Sequence, residues 1–214
     1  MAWAQSNLQQ VRVEVMRRLY TYRDVITGTA TSGSTSTILD AGSGAGYGAT
    51  LESAVYTNND FVGSWAYVPA VAAPKVSRIV QYDRDSGTLT LSPLLGATAG
   101  TNPYEIHYLI PPDRLNDWIG YRAREGSSGA MTTIAEGTAI NISKFTLAEG
   151  VLADALRYLA KKDHGDGRQL MEQEADHHEM LWLERLALEN LSPLVNRLNV
   201  RREQTEAAQV LRRF

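Results

Sequence analysis

Near the N-terminus, apolar residues recur at three- and four-residue steps: Leu8, Val11, Val15 and Leu19, with arginines and glutamines between them. That spacing predicts an amphipathic helix of about four turns, capped by Ser6 and ending near Tyr20–Tyr22. From residue 25 to 112 the period shortens to two. The stretches "SWAYVPAV", "KVSRIVQYD", "GTLTLSP" and "PYEIHYLI" read as short strands separated by turn chemistry, after "GTATSGSTSTILD", a strand reached through a loose turn. Asp83 to Gly87 reads as a hairpin loop. In "YEIHYLI", Tyr104, Ile106 and Tyr108 point one way, and Glu105, His107 and Leu109 the other. The expectation is a small antiparallel sandwich or barrel of five or six strands.

The helical period returns after Pro111 and Pro112, which forbid further sheet pairing. Asp113 is the expected cap of a helix carrying Leu115, Trp118 and Ile119. "GSSGAMTTIAEGTAINIS" is a loop or a short hairpin. Thr146 with Glu149 has the form of a capping box, and Leu147, Val151, Leu152, Ala155, Leu156 and Leu159 form one broad face behind it. "KKDHGDG" ends that helix, and Asp166 is placed to cap another running to about Asn190. The fold class expected is α+β. Residues 1–24 and 113–192 form a helical bundle, 25–112 an inserted small antiparallel β-sandwich or barrel module, and 193–214 an extended C-terminal arm.

The last long helix is apolar on nearly every side. A surface helix of a monomer shows one apolar stripe, and one that is apolar all round is covered on several sides. Met180, Trp182, Leu183, Leu186 and Leu191 are therefore assigned to a contact with another chain, the alternative being a central core helix. Beyond Pro193, Leu194, Leu198, Val210, Leu211 and Phe214 lie among Arg197, Arg201, Arg202, Arg212 and Arg213. This pattern reads as an arm that orders on docking.

Charge sharpens that picture. The net charge is -3, yet residues 193–214 carry five arginines against Glu203 and Glu206, so an acidic body bears a basic tail. Cysteine is absent, which excludes disulfides and thiolate chemistry. "MAWAQSNLQQ" lacks the form of a signal peptide, and no apolar run is long enough for a membrane helix, so a soluble chain with no membrane partner is expected.

Three stretches tempt a catalytic reading. The glycine-rich "AGSGAGYGA", Gly42 to Gly48, has no Gly-Lys-Ser/Thr ending and no βαβ setting, which leaves a flexible turn. "HHEML" at His177 and His178 puts Trp182 where a zinc helix needs its second histidine, leaving a solvated helix face. No Gly-x-Ser-x-Gly elbow is present. No catalytic, cofactor-binding or metal-binding residue is assigned, and the chain is not expected to be an enzyme.

In order, "LQQVRVEVMRRLY", "TGTATSGSTSTILD", "YTNNDFVGSWAYV", "KVSRIVQYDRDSGTLTLSP" and "NPYEIHYLIPPDRLNDWI" resemble virion proteins of tailed bacteriophages, in particular head-to-tail adaptor (connector or neck) proteins. "LAEGVLADALRYLAKK", the second long helix and the arm resemble the helical bundle of those adaptors. The resemblance implies a homo-oligomeric ring of twelve copies in the virion neck, assembled in the host cytoplasm and seated below the portal protein. It also implies contact with tail or other neck proteins, and a lumen through which DNA passes without specific binding. Residues 194–214 are the portion it assigns to portal contact. Typical small adaptors are mainly helical, so the β module is a departure. The competing expectation is a β-sandwich binding module of a tail or fibre protein, with Tyr47, Tyr56, Trp65, Tyr67 and Tyr82 as a stacking platform for a glycan or host surface.

Overall fold

The structure is a computed structural model that describes residues 6–19, 26–41, 51, 56–127, 134–163, 165 and 167–211, with side chains described as far as Glu189. The described residues form four helices and a seven-stranded antiparallel sheet, a mixed α+β arrangement.

Helix α1 (Leu8–Leu19) opens one residue later than the Ser6 cap predicts. Asn7 is the capping residue: its Oδ1 accepts from the Gln10 amide at 2.9 Å while Gln10 Oε1 accepts from the Asn7 amide at 3.3 Å, a reciprocal capping box. Ser6 instead pairs with Ile140 across a short antiparallel bridge and donates its hydroxyl to the Ile142 carbonyl, tying the start of the chain to the segment before the third helix.

The strands are β1 (Ile26–Thr29), β2 (Ser32–Gly33), β3 (Thr37–Leu39), β4 (Trp65–Tyr67), β5 (Val76–Asp83), β6 (Thr88–Ser92) and β7 (Pro103–His107), ordered β1-β7-β4-β5-β6-β3-β2. The two ends of that order, β1 and β2, are consecutive segments of one stretch, bent at Ala30 and Thr31. On one side Ala30 donates to the Asn102 carbonyl, and on the other Thr31 donates to that of Leu39. The expected hairpin joins β5 to β6, with Gly87 at φ 60°, where a side chain would be strained. Ile38, Phe61, Ile79, Tyr82, Leu89, Tyr104 and Ile106 fill the core of this unit.

Helix α2 (Pro112–Gly126) begins with Pro112 at its first position, where a missing N–H costs nothing. Asp113, expected as the cap, lies in the first turn, where its charge favours the helix dipole. Helix α3 (Lys144–Lys162) starts two residues before the predicted Thr146 cap. Ser143 is the cap, its hydroxyl accepting from the Thr146 amide at 3.2 Å.

Helix α4 (Gly167–Leu211) is continuous through Pro193. The helix end predicted near Asn190 is corrected by this. A proline inside a helix removes one hydrogen bond at a cost of about 3 kcal/mol, but the residues after it are mostly good helix formers. At 1.5 Å per residue, the 45 residues of α4 span roughly 67 Å against about 28 Å for the 19 of α3.

A second core joins the helices. Val11, Val15 and Met16 of α1, Leu115 and Ile119 of α2, and Leu147, Val151, Leu152 and Ala155 of α3 surround Trp182 of α4.

Candidate functional site

Three arrangements position the parts of this chain against one another. The first is the joint between the helices and the sheet. β7 is buried on both faces: Tyr104 and Ile106 enter the sheet core, as the alternation predicts, and Glu105 and His107 face α1. Arg12 meets them there with none of its side chain exposed. Its Nε and Nη2 donate to Glu105 Oε2 and Oε1 at 3.0 and 2.7 Å, a two-bond fork, and its Nη1 donates to Asn116 Oδ1 and Glu136 Oε1, each at 2.6 Å. Its guanidinium carbon lies 4.7 Å from the centre of the Tyr67 ring, whose hydroxyl also donates to Glu136.

His107 Nε2 lies 2.8 Å from Glu105 Oε2, while its Nδ1 is buried with no hydrogen-bond partner. Burial pushes the His107 imidazole below its usual range, against the opposing pull of Glu105. The ring is therefore neutral, with Nε2–H donating to the carboxylate. Burial opposes ionisation of Glu105 as well, but hydrogen bonds from His107 and Arg12 overcome it and hold the carboxyl below its usual range.

The second arrangement seats α4 on the bundle. Arg122 of α2 donates two bonds to Asp154 of α3 at 2.8 and 2.9 Å and two to Glu179 of α4 at 2.8 and 2.6 Å. Arg157 adds bonds to Glu179 and Asp176. On the other flank, Glu149 is almost wholly buried and pairs with Arg18 of α1 and with His178 and Arg185 of α4, at 2.8 to 2.9 Å. Glu149 is thus a three-helix tie and not half of a capping box. Burial raises its carboxyl pKa, and His178 and Arg18 more than reverse that. Glu189 accepts from the Ser143 amide at 3.2 Å and from the Thr146 hydroxyl, adding a negative charge to the N-terminus of α3.

Between these polar ties sits Trp182, fully buried. A side chain on Gly150 would approach its ring to 3.1 Å, and one on Gly126 likewise to 3.1 Å, so the two glycines form the notch that admits the indole. Trp182, expected at a contact with another chain, is the anchor of α4 in its own core, and Leu186 packs beside it.

The third arrangement is the outward surface of α4. Met180, Leu183 and Leu188 are 59%, 54% and 63% exposed. The side chains of Leu191, Leu194, Arg197, Leu198, Arg201, Arg202, Val210 and Leu211 lie outside the described residues, as do Arg212, Arg213 and Phe214 entirely. The Gly42–Gly48 loop and Tyr47 are outside them too. Of the remaining aromatics proposed for a stacking platform, Tyr67 is held in the Arg12 joint. Tyr82 is buried against Phe61 with its hydroxyl bonded to the Leu51 carbonyl, and burial pushes that hydroxyl up to about 12. Tyr56 stacks on Phe61, and Trp65 carries Arg78 at 4.2 Å.

Sequence reasoning missed the three ionic hubs. Arg12 had a local signal: it stands four residues after Leu8 and three before Val15, on the apolar face itself. Arg122 similarly follows Trp118 and Ile119 by four and three residues. A charge at such a position needs a buried partner.

Among the described residues, no group of three or more histidine and acidic side chains is disposed to hold a metal ion, and no helix is long and apolar enough to cross a membrane. A scan against protein-family models, a search of curated proteins and a search of solved structures each return no match.

Proposed function

We propose that this chain is a structural protein of a tailed-phage virion, a head-to-tail adaptor that forms a ring between portal and tail around a lumen for DNA. In this reading the helices form an adaptor bundle, and residues 25–112 are a small barrel inserted into it. The stretch 26–33 would close the barrel by pairing with β7 at one end and β3 at the other.

The observation that carries the reading is the reach of α4. Glu189 ties it to the start of α3. The helix then continues for 22 residues, 190–211, roughly 33 Å. A helix of this length suits a protein that must reach into a neighbouring ring. The five arginines of residues 193–214 suit an acidic protein surface, and portal contact is assigned to that segment.

Mass photometry of the purified chain, alone and with portal protein, tests the proposal. A large ring, or assembly on portal addition, is expected. A persistent monomer that ignores portal would defeat it. Removing residues 193–214 should abolish portal recruitment and leave the body folded.

A further inference from the structure

α4 turns a mixed face to its own bundle and keeps large apolar side chains outside. The side chains it turns to its own bundle include His178, Glu179, Arg185 and Glu189 beside the apolar Ala175, Trp182 and Leu186. Met180, Leu183 and Leu188 are left in water. Helices that pack on a body normally bury their apolar side, so a second surface is needed to cover this one.

Charge selects what that surface must be. Residues 167–189 of α4 hold six carboxylates against two arginines. Two copies of this stretch laid together would oppose like charges beside the apolar residues, which disfavours an α4–α4 pairing. The complement is a face that combines an exposed aromatic with cations not already paired to a carboxylate. The outward face of α2 has that composition. Tyr121 is 55% exposed, and Arg114 and Arg124, seven and three residues from it on the same side, meet no carboxylate at ion-pair distance among the described residues; Arg124 donates to the Gly120 carbonyl and Arg114 lies over the Tyr158 ring. By contrast, Arg12, Arg18, Arg122 and Arg157 are all committed to carboxylates.

The geometry points to a head-to-tail contact between copies of this chain, in which Met180 and Leu183 of α4 cover Tyr121 of the next copy's α2 and Glu184 meets Arg124. Two different patches in contact make a heterologous interface, which closes into a ring when the rotation permits. The inference names the subunit contact of the proposed ring and so rests on that reading.

The cysteine-free sequence makes the test clean. Leu183→Cys and Tyr121→Cys variants are prepared separately, mixed and oxidised, so that any disulfide between them joins two chains. A cross-linked dimer from the mixture, absent from either variant alone, is expected. Leu183→Cys cross-linking to itself, cross-linking instead to a Phe145→Cys control, or no cross-link from the mixture overturns the inference. Because Leu183 and Glu184 are exposed, Leu183→Glu should abolish association with unchanged thermal unfolding. Glu184→Arg should weaken association, and Arg124→Glu should restore it in the double variant. Failure of the charge swap to restore association counts against the Glu184–Arg124 pair. A cross-linked ring that does not recruit portal would uphold this contact and defeat the adaptor function, whereas portal recruitment without the cross-link would do the reverse.

Discussion

Arg12 and Arg122 each gather carboxylates, but in different surroundings. Arg12 is sealed from water, and its main partner Glu105 is sealed with it. Arg122 is nearly buried, yet its partners Asp154, Glu179 and Glu125 keep 19%, 26% and 41% of their side chains in solvent. A fully desolvated pair contributes little net stability but is costly to break, because the survivor is left charged in a low dielectric. A half-solvated cluster loses less, because water replaces the missing partner. The joint between helices and sheet is therefore built to stay shut, and the seat of α4 is built to yield first. Both arginines draw their carboxylates from outside their own helix, Glu125 excepted.

Breaking the joint should give the largest effect. Arg12→Ala leaves Glu105 buried with only His107, and should cost about 3–5 kcal/mol in urea unfolding. An equal loss for Arg122→Ala would erase the contrast between the two sites. Next comes the notch under Trp182. Gly150→Ala drives a methyl to 3.1 Å of the indole and 3.0 Å of the Arg122 side chain. It should cost about 1–3 kcal/mol by overpacking, with hydrogen exchange rising in α4 before α1 or β7. Salt should separate the regions further. Raising ionic strength should speed exchange in residues 170–189 and leave β7 unchanged, since screening acts on solvated charges.

How much of this was written in the chain depends on distance along it. The strands of 65–107 were legible because β-branched and aromatic residues alternate there, and the Asp83–Gly87 turn marks its own position, whereas the stretch read as one strand holds β2 and β3 with the end of β1. Caps were displaced by one to three residues wherever two polar candidates compete, as Ser6 and Asn7 do, or Ser143 and Thr146. Pro193 read as a stop because a proline's local cost is visible, while the propensity of the eighteen residues after it is spread out. The ionic hubs carry almost no local trace. Arg12 and Glu105 are 93 residues apart and Arg122 and Glu179 57 apart, and nothing near either member names its partner. Trp182 illustrates the limit of counting apolar residues around a helix: the count gave its surplus correctly, but only packing decides which members face inward.

Acid should act on the joint through His107 and Glu105 together. The His107 pKa in the fold lies below its usual 6.5, so between those values the unfolded chain binds a proton that the folded chain refuses. Stability then rises with pH across that window and is lost as pH falls through it, by up to about 1.4 kcal/mol per unit of separation. Glu105, also held below its usual range, adds a loss of the same sign at lower pH. His107→Gln should flatten the upper part of this dependence, measured as unfolding free energy against pH. A dependence unchanged by the substitution would place the titration elsewhere.

The smallest effect belongs to the β5–β6 turn. Arg84 and Asp85 form a 2.6 Å pair, but both are well exposed, and adjacent residues constrain little by holding one another. Arg84→Ala should therefore leave thermal unfolding almost unchanged. The turn is held by other bonds: Asp83 accepts from the Asp85 amide at 3.1 Å and from the Ser86 hydroxyl at 2.7 Å, and Gly87 supplies the positive φ. Asp83→Ala should accordingly cost more than Arg84→Ala, although the ion pair is the shorter contact. If thermal unfolding ranks the two the other way, solvated charge matters in this chain more than the contrast between Arg12 and Arg122 allows.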